Sequence, residues 1–126
     1  DGLALEKKSN WIGTRKKVRF SELSTEEKNK HISENPAYGR VICRCETITE
    51  GEIIDSLRGP IPALTIDGVK RRTGSGMGRC QGGFCGPRIL EIIAREHNIA
   101  PEDIFQDKQG SYILTGQTKR EETYHA

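Results

Sequence analysis

The 126-residue chain contains four cysteines, Cys43, Cys45, Cys80 and Cys85, arranged as a C-x-C pair and a C-x4-C pair with residues 46–79 between them. Thiolates are soft metal ligands and nucleophiles, so three chemistries compete. These are two disulfides, one tetrahedral four-cysteine zinc ion, or a [2Fe–2S] cluster with two thiolates on each iron. Cysteines separated by one residue bridge each other poorly, and the expected cytoplasmic setting keeps thiols reduced. Structural zinc usually takes C-x2-C pairs, a spacing that both pairs miss. Spacing alone leaves zinc and iron–sulfur open.

The surroundings favour a thiolate site of some kind. Arg40, Arg44, Lys70, Arg71, Arg72, Arg79 and Arg88 lie near the cysteines in sequence. An all-thiolate [2Fe–2S] cluster carries about −2 when oxidised, which such cations would balance. Gly74, Gly76, Gly78, Gly82, Gly83 and Gly86 let backbone amides approach sulfur and donate to it. A helix starting near Gly86-Pro87 adds partial positive charge directly after Cys85, and Phe84, between two cysteines, is expected to shield the site from water. The same features would lower a thiol pKa for zinc or for redox chemistry, so they identify the site better than they identify the metal.

The elements that must hold these residues read as short helices joined by glycine loops. Ser24-Thr25-Glu26-Glu27 has the capping-box form and predicts a helix over 25–33, stopped by Asn35-Pro36. Val41-Ile42-Cys43 is a short apolar lead into the first cysteines. Thr49-Glu50-Gly51-Glu52 is a second capping box, with Ile53, Ile54 and Leu57 on one face of a helix ending near Arg58-Gly59-Pro60. Thr65 caps a third helix through Val69 to Arg72. Ile89, Leu90, Ile92, Ile93 and Ala94 form the apolar stripe of a fourth, ending at His97-Asn98. Pro101 opens a final short turn, 102–105, and 111–115 reads as a strand. The fold class expected is mainly α, a small helix-turn-helix array around a four-cysteine metal site. An extended arm with one short helix (1–37) precedes that domain (38–105), and a short strand and polar tail (106–126) follow.

Composition narrows the function classes. Only 33% of residues are hydrophobic and 30% are charged, so the core is small for the length. The net charge of +2 argues for neither nucleic acid nor membrane, and the basic excess lies in 40–88, around the cysteines. No apolar run reaches the roughly 20 residues of a membrane span. GSGMGRCQGG lacks the Walker G-K-[ST] ending, and the basic runs Arg15-Lys16-Lys17 and Lys70-Arg71-Arg72 have no RNA-binding aromatic motif beside them. His97 suits a helix C-terminus, His31 and His125 are expected on the surface, and Trp11, Tyr38 and Phe84 are expected to pack. No catalytic constellation is present. The chain opens at Asp1 in DGLALEKKSNW, so a piece cut from a longer polypeptide is expected.

Cys43-Arg-Cys45-Glu, Thr49-Glu-Gly-Glu-Ile53 and VKRRTGSGMGRCQGGFCGP together resemble the BFD-like [2Fe-2S]-binding domain, named for bacterioferritin-associated ferredoxin. The resemblance is strongest to the version fused to FAD-dependent oxidoreductases of the anaerobic glycerol-3-phosphate dehydrogenase type. It covers about residues 38–100, and Asn35-Pro-Ala-Tyr-Gly39 is similar to the lead-in segment of those flavoproteins. The x4 spacing of the second pair departs from the C-x2-C of the free-standing ferredoxins and agrees with the fused branch. The resemblance implies Cys43, Cys45, Cys80 and Cys85 as ligands of a [2Fe–2S] cluster, with zinc as a possible substitute. It also implies a flavoprotein domain in the same chain, FAD in the parent protein but not in this fragment, and an unidentified electron acceptor. The fragment alone is then expected to have no turnover.

Overall fold

The computed structural model describes residues 6–14 and 16–118. Helix α1, Thr25–Glu34, starts because the Ser24 hydroxyl accepts the Glu27 N–H while the Glu27 carboxylate accepts the Ser24 N–H. Asn35, held extended before Pro36, ends it and opens the 3₁₀ turn Pro36–Gly39. Strands β1, Val41–Cys43, and β2, Ile48–Thr49, then pair antiparallel, with the register interrupted between Val41 and Cys43. Helix α2, Glu50–Arg58, begins with the second reciprocal capping box, Thr49 with Glu52. Helix α3, Ile66–Thr73, is capped by the Thr65 hydroxyl and closed by Gly74 at φ 87°. Helix α4, Cys85–His97, starts two residues before the expected position and ends at Asn98, also left-handed at φ 52°. A 3₁₀ turn, Pro101–Asp103, follows.

Among the described residues, four α-helices and one small ribbon make the fold mainly α. The predicted stripes of α2 and α4 are buried and meet in one core: Ile53, Leu57, Ile89 and Ile93 cluster with Val69 of α3 and Ile104. Each such side chain contributes about 1.5–3 kcal/mol when fully removed from water. Cys43 and Cys85, each 1% exposed, belong to the same cluster, so two of the four thiols are anchored in the core itself.

The flanking segments are more engaged than their sequences suggest. Residues 6–14 and 16–19 form no regular element. Phe20, however, is buried, and its N–H donates to Glu52 Oε1 at 3.1 Å while Glu52 Oε2 completes the capping box. Lys17 Nζ reaches the Arg72 carbonyl at 2.5 Å. One buried carboxylate thus starts α2 and ties down the arm. Beyond α4, the strand expected at 111–115 reduces to a single bridge between Phe105 and Tyr112. The preceding backbone is used differently: the carbonyls of Phe105 and Gln106 accept the Ile66 and Asp67 N–H groups, the free donors that start α3. Trp11 is 58% exposed, with Lys7 over its ring, so it does not pack into the core. His31, expected on the surface, is half-buried and lies against Tyr38, their ring centres 5.3 Å apart. His97 closes α4 as expected, with Nε2 3.3 Å from the Ala63 carbonyl. Leu3, Leu5, Arg15, His125 and the end of the polar tail lie outside the described residues.

Gly51 shows how tightly this lead-in packs. A Cβ there would fall 2.6 to 2.8 Å from the Tyr38 ring, which is buried and whose hydroxyl donates to the Asp55 carboxylate. Gly51→Ala gains about 1 kcal/mol in helix propensity. Overpacking against the ring should exceed that gain and lower stability by about 1–3 kcal/mol. Urea unfolding checks it: an unchanged or raised midpoint would mean that the ring yields freely.

Candidate metal centre

Three local features bring the cysteines together. Cys43 ends β1, Cys45 lies in the turn between β1 and β2, and Thr47 makes that turn tight by adopting φ 55°. Cys80 sits in the loop after α3, and Cys85 is the first residue of α4. The four cysteines face one open recess. Within it the thiols are mutual neighbours: Cys43 and Cys80 both act electrostatically on Cys85, and Cys45 acts on Cys80. Cys43 and Cys85 are buried, whereas Cys80 is half-buried and Cys45 exposed, so the recess has a dry side and a wet side. Among the described residues no three His, Cys, Asp or Glu side chains gather closely enough to hold a single ion.

The two sides differ electrostatically. The Cys80 thiol is held below the usual range, first by the Phe84 backbone N–H, then by the Cys45 thiol and the amides of Gly82 and Gly83. These are the sulfur-directed amides that the glycine loop suggested, with Gly82 at φ 85° in a conformation few other residues adopt. Cys85 is pushed up to about 11, first by burial and then by the neighbouring Cys43 and Cys80, with its own backbone amide opposing. A thiol that basic ionises readily only beside a cation. No side chain caps the N-terminus of α4; the Gly86 N–H donates to the Gly82 carbonyl at 2.7 Å and Pro87 has no N–H, so the Cys85 amide is the first-turn donor at the site.

Gly78 permits the two cysteine loops to touch. A Cβ at this position would lie 2.3 Å from Cys45 Cβ and 2.7 Å from Glu46 Oε1. Its neighbours crowd it from the side of the first motif, a contact between segments more than thirty residues apart in sequence.

The cations sort into two groups. Arg40, Arg44, Arg79 and Arg88 line the recess. Lys70 and Arg71 instead pair with Asp67, and Arg71 also with Asp107, while Arg72 donates to the Gly68 and Ile61 carbonyls. Those three stabilise α3 and its surroundings, and the expectation that they balance the site is corrected accordingly. Phe84 also departs from expectation. It is 85% exposed, and only its backbone serves the thiols.

Sequence reasoning missed Glu50. Its carboxylate, 6% exposed, lines the recess, pairs with Arg40 and accepts from Arg95 Nη2 at 2.6 Å. Burial alone would raise its pKa, but the two guanidiniums together hold it below the ordinary 4.5. The only local signal was an acidic residue in a capping box, because Arg95 lies a full domain length away. A lowered folded-state value means that the stability from this cluster is present above about pH 4.5 and is lost as pH falls through the folded pKa. Acid titration of thermal stability should therefore show a loss below pH 4.5 that Glu50→Gln flattens. A slope unchanged in that variant would assign the loss to other carboxylates.

Comparison with known proteins is consistent with this geometry. A family model described as the BFD-like [2Fe-2S] binding domain matches residues 41–95, a span that contains all four cysteines. A glycerol 3-phosphate dehydrogenase of Caloramator mitchellensis is 51% identical over 118 residues, 93% of this chain and 25% of that protein. An opine oxidase subunit of Rhizobium meliloti is 37% identical over 81 residues, covering 63% of this chain and 14% of the relative. An anaerobic glycerol-3-phosphate dehydrogenase subunit of Haloferax volcanii is 29% identical over 102 residues, 77% of this chain and 16% of that one. The chain thus spans a quarter or less of these relatives. No solved structure matches it.

Proposed function

We propose, from the match of residues 41–95 to the BFD-like [2Fe-2S] binding domain, that the chain is the iron–sulfur electron-transfer domain of a larger FAD-dependent dehydrogenase, acting between flavin and an electron acceptor. The parent is read as glycerol-3-phosphate dehydrogenase-like, from the relatives that share most of this chain. The observation that carries the proposal is the gathering of all four thiols around one recess, with amide donors at Cys80 and arginines on the walls.

In this reading Cys43, Cys45, Cys80 and Cys85 hold the cluster, which when bound supplies one-electron redox chemistry. The chain's own residues set its environment. The amides of Phe84, Gly82 and Gly83 stabilise negative charge on the Cys80 sulfur, and the guanidiniums at the recess favour a negatively charged centre. Burial of Cys43 and Cys85 keeps water from one side, and the open side at Cys45 leaves a short route for an electron to a partner. No helix among the described residues is long and apolar enough to cross a membrane.

The test is anaerobic purification with measurement of iron, acid-labile sulfide and zinc, and visible and EPR spectra before and after dithionite. Equimolar iron and sulfide with an EPR signal appearing on reduction is the expected result. Stoichiometric zinc without sulfide would instead support a structural metal module that docks or links flavoprotein domains, and would overturn the relay.

A further inference from the structure

The open side of the recess carries charge and apolar surface that the thiols do not use. Arg44, Arg79 and Arg88 line it and are exposed, and none has a carboxylate partner within 4.0 Å among the described residues. Arg40 is committed to Glu50, which is itself shared with Arg95. Together with the one positive charge that the Arg40–Glu50–Arg95 group leaves over, the three free guanidiniums exceed a bound cluster both at about −2 when oxidised and at about −3 when reduced, the state that donates. Beside them Phe84 is held 85% exposed, although its backbone is pinned at the Cys80 thiol and the start of α4. Val41, 44% exposed, faces the same recess. An exposed aromatic anchor among unpaired arginines is the composition of an interface centre, and the charge sets the sign of what it meets.

On the electron-transfer reading above, we propose that Phe84, with Arg44, Arg79 and Arg88, forms the docking face for a separate acceptor protein whose acidic surface surrounds an apolar socket. Arg44 lies between Cys43 and Cys45, Arg79 precedes Cys80 and Phe84 precedes Cys85, so docking and electron delivery coincide. In the transfer the centre loses one electron and the acceptor gains one, with no bond made or broken and no proton moved.

The test uses the cluster-loaded, dithionite-reduced chain with three oxidants: an acidic blue-copper protein, a basic c-type cytochrome and a neutral benzoquinone. Stopped-flow rates are followed from about 0.01 M to about 1 M salt, where the screening length falls from about 30 Å to about 3 Å. The rate with the acidic protein should fall by about tenfold or more, and the rate with the basic one should rise. Replacing the three arginines, as Arg44→Gln, Arg79→Gln and Arg88→Gln, should flatten the acidic protein's salt slope. Phe84→Ala should slow that acceptor about fivefold at high salt while the quinone rate stays within about twofold. If the triple variant loads poorly, Arg79→Gln and Arg88→Gln singly should each remove part of the slope, and Phe84→Leu replaces Phe84→Ala. Equal salt dependence with both proteins, or quinone rates that fall in step, would overturn the docking face while leaving the relay intact. A loaded chain that reduces no oxidant, quinone included, would overturn the relay and the docking face together.

Discussion

Cys80→Ser should strip the protein of iron and sulfide, leaving less than about a tenth of the wild-type content, and lower the thermal midpoint of the loaded form by about 10–20 °C. The reason is linkage: a site that forms only in the folded chain contributes its binding free energy to folding. In a domain of this size about 2–3 kcal/mol corresponds to a shift of that order. Cys80 is only half-buried and its sulfur leans on backbone amides that a hydroxyl can also use, so metal-free wild type and metal-free variant should unfold together. Comparing loaded and metal-free forms of both proteins by calorimetry makes the measurement specific. Equal midpoints for loaded wild type and variant would mean a preformed fold with an optional metal and would remove Cys80 from the ligand set.

Gly78→Ala should be nearly as damaging without touching a thiol. The new methyl would lie 2.3 Å from Cys45 Cβ, in a space where both neighbours belong to a tight turn. Either the turn at 44–47 or the loop at 74–84 must move, which displaces Cys45 relative to Cys80. Overpacking of this kind costs about 1–3 kcal/mol. The larger effect is on geometry, with a several-fold loss of cluster content at equal protein. Gly86→Ala is the control, because a Cβ there meets nothing within 4 Å and lies in the first turn of α4, where alanine is favourable. If Gly78→Ala loads normally and Gly86→Ala does not, steric contact between the loops is the wrong account.

Much of the architecture was legible locally. Ser24 with Glu27 and Thr49 with Glu52 announced α1 and α2 because a capping box is a contact across three residues, complete within the sequence that encodes it. Gly74 and Asn98 marked the ends of α3 and α4 for the same reason, since a left-handed cap is a property of one residue. The stripe Ile89, Leu90, Ile92 and Ile93 identified the buried face of α4. The ribbon between β1 and β2 was harder, because five strand residues carry too little periodicity to separate them from a loop. The expected strand at 111–115 failed for a complementary reason: an apolar-looking segment with no partner beyond one bridge does not become a strand.

What the sequence by itself determined is the set of four thiols, the glycine loop that brings amides to them and the helices that carry them, all of which depend on residues close together in the chain. The tertiary structure alone decided that the four thiols share one recess with a buried and an open side, which of seven nearby cations reach it, that Glu50 neutralises one of them, and that Phe84 points into solvent. Each of those depends on where α4 lies against β1 and on how closely the loop at Gly78 approaches Cys45. Such contacts join residues tens of positions apart, and nothing in the local order of the chain specifies which of them will form.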